Sequence, residues 1–318
     1  MKLNHSDIQK VDFGYYGHGV QAPRSASNGV MRKIIIIFAI SAFLYSLAGC
    51  YQPPVNGINP SPSARKSAFN QAEMDTVVSL DALLKQWEKG FAGGQEAEQK
   101  QVSDKITDIA SRNMPLLERA MNDDQGVKMV ATLALGFSRQ QEAIPLLLAA
   151  ARDQDLLIRA NAVFSLGILG LKETPSEPLI KMLEDKEPSI RTTAAFALSR
   201  VLRSDSDPAV LEPLHRALND QSPEVRREVI RALTILARKE SLPYLVKSLK
   251  DSDELVRINS ARALAVIKEP LAIEPLIMAL TDTAPRVQAA LVYALKEITG
   301  LDNGNDVKAW QDWWSKNK

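Results

Sequence analysis

One cysteine, Cys50, and three histidines, His5, His18 and His215, are all the soft or imidazole side chains in these 318 residues. That scarcity excludes a disulfide framework within the chain, and it excludes zinc sites of the usual kind, which cluster such ligands. Aromatic residues make up only 6%, and charge of either sign nearly cancels, with 39 Lys and Arg against 38 Asp and Glu for a net +1. Near-neutral charge argues against a general binder of nucleic acid or of anionic membranes. No Ser, Cys or second His is placed to make His215 one half of a nucleophile and base pair, so His215, with Arg216 beside it, reads as a surface residue. The run GFAGG from Gly90 to Gly94 lacks the Lys-Ser/Thr of a phosphate loop and reads as a turn. No motif calls for a metal or another cofactor. What is present, 45% hydrophobic and 24% charged residues, is the make-up of a folded globular protein.

The chain opens on an address. Residues 31–50 read MRKIIIIFAISAFLYSLAGC: two basic residues (Arg32, Lys33), an apolar run from Ile34 to Leu47, then small residues before a cysteine. This is the layout of a secretory signal peptide, and the run falls short of the roughly 20 residues that a membrane-spanning helix takes. Leu47, Ala48, Gly49 and Cys50 resemble the lipobox of bacterial lipoproteins. The resemblance implies that the Cys50 thiol is lipidated and the chain cut just before it, leaving residues 31–49 as the signal peptide. It also accounts for the lone cysteine, and a diacylglyceryl anchor of two or more chains holds stably where a single acyl chain does not. Signal peptides start with their basic residues, so residues 1–30 fit no part of this scheme and translation is expected to start at Met31. Residues 50–71, rich in Pro, Ser and Asn without a helical apolar period, read as a tether. Some 20 residues reach roughly 60 Å if extended as polyproline. Tyr51 rather than Asp follows the cysteine, which under the Gram-negative sorting rule resembles an outer-membrane destination facing the periplasm.

From residue 122 the chain repeats itself. Aligned on a basic marker, Lys128, Arg159, Arg191, Arg226 and Arg257 precede Gln288, in steps of 31, 32, 35, 31 and 31 residues. Six positions before each marker stand Asn122, Asp153, Asp185, Asp220, Asp251 and Asp282, and just before it stand Val127, Ile158, Ile190, Val225, Val256 and Val287. An Ala-Leu or Ser-Leu pair follows six and seven positions on, which places the apolar residues on one helical face. A second helix opens each copy's other half: IPLLL at Ile144, EPLIKML at Glu177, EPLHRAL at Glu212, LPYLVKSL at Leu242 and EPLIMAL at Glu274. Proline is tolerated in a helix's first turn, where its missing N–H had no partner. Pro188, Pro223 and Pro285 serve the first helices in the same way, with Ser222 as an N-cap. The unit is two antiparallel helices, neither of which buries its apolar face without a neighbour. The recurring Asp153, Arg159, Asp185, Arg191, Asp220, Arg226, Asp251 and Arg257 read as a structural ladder of inter-repeat hydrogen bonds and helix-end contacts.

This pattern, D-x-x-x-x-V-R, an Ala-Leu pair, then E-P-L-x-x-x-L, resembles the short HEAT-like repeats named after phycobilisome lyases, over about 200 residues. The resemblance implies an all-α fold, a right-handed α-solenoid of antiparallel helix pairs with a period of about 31–35 residues. It spans residues 72–318, with a further pair before the marked copies (a helix near Gln99 to Ser111, another through Met114) and an N-terminal capping helix ended by Gly90, Gly93 and Gly94. At the far end Trp310, Trp313 and Trp314 form one helical stripe, read as a cap over the last repeat rather than an exposed platform for sugar or peptide. If the second helices line the concave face, as in the family, then Lys181, Arg216 and Lys247, continued by Met278, make a basic strip that could meet an acidic partner.

The reading that follows is a membrane-anchored, non-catalytic scaffold or adaptor of the cell envelope with an unknown protein partner and no nucleic acid. Two rivals stay open: a lyase-like or cofactor-handling repeat protein, against which export argues because bilin attachment is intracellular, and an envelope glycan binder acting through the Trp segment. The address is testable directly. Cys50→Ser should release the protein from the membrane fraction or stop its processing, and an unchanged fraction with unchanged intact mass would refute lipidation.

Overall fold

The structure is a computed structural model that describes residues 69–93 and 96–318. Its described residues form α-helices and three short 3-10 turns, and they fall into two compact units that meet in sequence at Leu171 and Lys172. No helix among them is long and apolar enough to cross a membrane.

In the first unit, α1 (Gln71–Gly93) and α2 (Glu96–Arg112) form an antiparallel hairpin. The start of α1 is fixed by a reciprocal capping box: Asn70 Oδ1 accepts the Glu73 N–H at 3.0 Å while Glu73 Oε2 accepts the Asn70 N–H at 2.9 Å. Glu73 also pairs with Arg119, whose guanidinium lies 5.5 Å from the ring centre of Phe69. Val77, Leu80, Leu84 and Trp87 bury one stripe of α1 at helical spacing, and Val102, Ile106 and Ala110 do the same in α2. The capping helix ends on the second of the three glycines expected to end it. It runs through Gly90, which is buried, and stops at Gly93. Then follow α3 (Met114–Ala120), α4 (Gln125–Phe137), α5 (Ala143–Ala150) and α6 (Leu156–Leu169). Trp87 meets Phe137 edge-on at 5.3 Å and Phe164 at 6.3 Å, so the hairpin closes over both long helices of the unit. Those helices approach closely because Gly136 has no Cβ; one built there would stand 2.9 Å from Ser165 Cβ and 3.0 Å from its Cα.

The second unit holds α7 (Ser176–Met182), α8 (Pro188–Val201), α9 (Leu211–Ala217), α10 (Pro223–Leu236), α11 (Leu242–Ser248), α12 (Glu254–Ile267), α13 (Ile273–Ala279), α14 (Pro285–Thr299) and α15 (Val307–Asn317). The long helices α8, α10, α12 and α14 pack side by side through small residues such as Ala194, Ala197, Ala232, Ala261 and Ala263, all buried. Each short helix packs on the long helix that follows it, but the short helices stand farther from one another. Closer stacking on one side bends a repeat array toward that side. Within this unit the long helices therefore line the inner edge, which corrects the expectation that the second, Pro-opened helices do so.

The charge ladder sets the stacking. In each copy the ladder aspartate accepts the N–H two residues on: Asp153 from Asp155, Asp185 from Glu187, Asp220 from Ser222, Asp251 from Asp253 and Asp282 from Ala284, all at 2.8–2.9 Å. The marker's Nη1 reaches back to the carbonyls of its own loop, as in Arg226 to Asp220 at 2.8 Å and Gln221 at 3.3 Å. Arg159, Arg191 and Arg257 make the same pair of bonds. The rest of the guanidinium forks onto the next aspartate: Arg191 on Asp220 at 2.6 and 3.1 Å, Arg226 on Asp251 and Arg257 on Asp282 at 2.7 and 3.2 Å. In the first unit Lys128 pairs with Asp153. Arg159 and Asp185 belong to different units, and each holds its own loop as described.

Burial alone would push the Asp282 carboxyl up, but hydrogen bonds from Arg257 and the Ala284 N–H, with the Arg257 charge, outweigh it and hold the group below its ordinary 3.8. Asp153, with Lys128, and Asp253, with Arg227, are balanced in the same way. Because the folded-state values are depressed, the stability these carboxylates contribute is full above 3.8 and is lost as pH falls through the lower folded values.

Helix ends show where the backbone is under load. Gly170 closes α6 at φ 59°, but α10 and α12 end on Ala237 and Lys268 at φ 49° and 55°, since no glycine lies between Leu171 and Thr299. At the C-terminus Trp310 is fully buried against α13, with its Nε1 donating to the Gly304 carbonyl at 3.0 Å, and the helix covers the last repeat as expected of a cap.

Two sets of variants test this account by urea denaturation. Arg226→Met should cost about 3 kcal/mol by stranding the Asp251 carboxylate, and adding Asp251→Asn, which keeps the loop bond, should recover more than half. Ala237→Gly should raise stability by about 1 kcal/mol. Gly136→Ala should lower it by about 1–3 kcal/mol, because the helix pair must part.

Candidate interaction surface

The basic strip expected from the sequence lies on α7, α9 and α11, the outer edge of the second unit, and each of its cations has a partner. Lys181 Nζ sits 2.7 Å from Glu177, Arg216 bridges Glu184 at 3.3 Å and Glu212 at 3.4 Å, and Lys247 donates to Asn219 Oδ1 at 2.9 Å. The hydrogen bond from Lys181 holds the Glu177 carboxyl below its usual range. A shallow groove of about 280 Å³ runs beside Arg216, between Ile180 and Leu183 on one side and Pro213 and Ala217 on the other. Interleaved glutamates make this surface one of mixed sign, where the sequence suggested a positive strip. Met278, 65% exposed, ends it.

A different row emerges on the long helices. Five positions after each marker the chain carries Leu133, Phe164, Phe196, Arg231, Arg262 and Tyr293. In the first unit Trp87 covers Phe164. In the second unit the row starts at Phe196, which is buried, and continues along the inner edge as Arg231, Arg262 and Tyr293, all planar side chains. Arg231 is braced by Glu228, 3.4 Å away and itself 4% exposed in its side chain. Tyr293 is 45% exposed, and its phenol is pushed up by burial and by the charge of Glu297, against the nearby Lys268 and Arg262. Guanidinium and aromatic planes at one register of successive helices are the side chains that dominate protein–protein contacts, through stacking and forked hydrogen bonds. The sequence signal was a fixed offset from the marker. It escapes notice because the residue types differ and because the row lies off the apolar stripe that reveals the helices.

The remaining candidates separate cleanly. His215, expected at the surface, is only 5% exposed: its ring stacks on Tyr244 at 3.8 Å and its Nε2 lies 3.0 Å from Ser241 Oγ. The position that looked polar is an inter-repeat packing site. Trp313 meets Trp310 edge-on and Trp314 at a tilt, each pair 6.1 Å apart, so the stripe packs on itself around the buried Trp310. Among the described residues no three His, Cys, Asp or Glu side chains converge to hold a metal ion. Leu47, Ala48, Gly49 and Cys50, with residues 51–68 of the tether, lie outside the described residues, while Phe69, Asn70 and Gln71, expected to end the tether, already belong to the buried and capped start of α1.

Several solved structures are similar to this chain. A designed armadillo repeat protein is 20% identical, with a TM-score of 0.46, over 58% of this chain and 99% of its own. The complex of CpcE and CpcF of phycocyanin lyase from Nostoc sp. PCC7120 is 19% identical, with a TM-score of 0.44, over 63% of this chain and 93% of that one. Human deoxyhypusine hydroxylase in complex with glycerol is 19% identical, with a TM-score of 0.35, over 72% of this chain and 99% of that one. No curated protein matches in sequence. Residues 113–199 and 211–296, more than half of the chain, match the family of HEAT repeats. With its paired helices, its loop-to-loop ladder and its covered ends, this chain belongs to the HEAT-repeat family.

Proposed function

We propose that this protein is a lipid-anchored, non-catalytic scaffold of the bacterial cell envelope, which holds a protein partner along the long-helix row of its second unit. The observation that carries the reading is the run Arg231, Arg262, Tyr293 at one register of three adjacent helices. A repeat array supplies a long surface of this kind, while catalysis needs reactive groups brought to one point. Support for the address comes from the basic, apolar and small-residue segments ending in Leu47, Ala48, Gly49 and Cys50. The tether that follows gives the folded part reach from the bilayer. Trp310 is committed to the last repeat, which favours protein binding over a glycan platform at that end.

The experiment is crosslinking in the native envelope with mass spectrometry of what co-purifies. Wild type is compared with Arg231→Glu/Arg262→Glu/Tyr293→Ala, and with the outer-edge control Lys181→Glu/Arg216→Glu/Lys247→Glu. A defined partner should be retained by the control and reduced at least about tenfold in the first triple. Retention by the first triple and loss from the second would move the site to the outer edge. Capture of no protein by any form would defeat the scaffold reading.

A further inference from the structure

His215 occupies a place built for a hydrocarbon. In the E-P-L-x-x-x-L helices of the second unit its counterparts are Ile180, Val246 and Ile277, the residues that follow Leu179, Leu245 and Leu276. Leu179, Leu214, Leu245 and Leu276 are themselves completely buried. In α9 alone this joint between neighbouring short helices is filled by an ionisable ring.

The surroundings are specific to an imidazole. The ring of Tyr244, from the first turn of α11, lies parallel to His215 at 3.8 Å and within 12°. Ser241, fully buried in the 3-10 turn Lys239–Ser241 that leads into α11, places its Oγ 3.0 Å from Nε2. Both partners come from the next repeat, so the ring is the bolt between α9 and α11. The charged groups acting on it are Glu212, one turn earlier on its own helix, and Glu240, on the lead-in turn. Two carboxylates favour a charged ring, but burial opposes it more strongly, and His215 lies below its ordinary 6.5. A group held this way stays neutral in the closed joint and takes up a proton more readily once the joint opens. The contribution to stability is full above 6.5 and declines as pH falls from 6.5 toward the lower closed-joint value.

We propose that His215 makes the joint between α9 and α11 an acid-sensitive hinge, closed when the ring is neutral and loosened on its protonation. These short helices back α10 and α12, the helices that carry Arg231 and Arg262. The hinge itself does not depend on what binds there.

Hydrogen exchange of the full chain, followed by mass spectrometry and corrected for the intrinsic pH dependence of exchange, tests it. Between about pH 7.5 and about pH 5 the protection of Leu211–Ala217 and Leu242–Ser248 should fall at least threefold, while that of Pro285–Thr299 holds. His215→Ile, which restores the residue type of the other repeats, should remove the local fall. Equal protection at both pH values, or the same fall in His215→Ile, overturns the proposal. NMR titration of the wild-type imidazole requires no variant, and a His215 pKa at or above 6.5 would overturn the proposal as well.

Discussion

Every repeat joint with a marker arginine inside the second unit rests on one side chain doing two jobs at once. Arg226 closes its own loop by donating to the Asp220 and Gln221 carbonyls, and with the rest of the same guanidinium it grips Asp251 of the next loop. Asp251 in turn holds the Asp253 N–H, so the loop that receives the fork is shaped by the carboxylate that accepts it. A planar group with five donors in fixed geometry can bind both ways at once; a lysine has one nitrogen to offer. The ion pair is 11% and 13% exposed, so it is shielded from solvent screening and satisfied on both sides, the condition under which a partly buried charge pair is tolerated. Loop shape and repeat spacing thereby become one constraint.

The end of the ladder confirms this logic. Gln288 stands at the marker position of the last repeat, after which the marker pattern does not recur. Its Nε2 still reaches the Asp282 carbonyl at 2.8 Å, so the loop-closing half of the job survives without the charge. Its Oε1 faces Asn305 Nδ2 at 3.5 Å, in the segment leading to the capping helix. The same economy shows in the caps of α8 and α14: Glu187 and Ala284 provide no side-chain cap, and the aspartate two residues earlier binds the N–H of each.

Much of the fold was legible in the sequence because it is periodic. The marker spacing, the Pro-opened second helices, the Ser222 cap and the ladder's role all follow from residues that recur at one offset, and recurrence averages out the accidents of any one copy. What failed was read from single residues or borrowed from a rule. Gly90 was taken as a helix end on propensity alone, although a buried glycine between packed helices costs only about 1 kcal/mol. His215 was judged by its chemistry, when comparison with Ile180, Val246 and Ile277 already placed it in an apolar register. The inner edge was assigned by analogy, and the backbone packing reversed it. Arg231, Arg262 and Tyr293 were missed because a surface row keeps its position while changing residue type, and a search for identical residues does not see it.

The two edges of the second unit divide the work in a way that follows from helix length and side-chain size. Along the inner edge, 14- and 15-residue helices touch through alanines and are locked at their N-terminal ends by the arginine forks, so their spacing is set by backbone approach and by charged hydrogen bonds that tolerate little displacement. Along the outer edge, seven-residue helices stand apart and are joined by the tips of longer side chains, such as Arg216 to Glu184, Lys247 to Asn219 and His215 to Ser241. Exposed pairs of the first two kinds contribute at most about 1 kcal/mol each. Strain imposed on such an array therefore concentrates on the outer edge, where joints part at small cost, while the inner row keeps its register. A surface that must present Arg231, Arg262 and Tyr293 together is best placed on the edge whose spacing the ladder fixes.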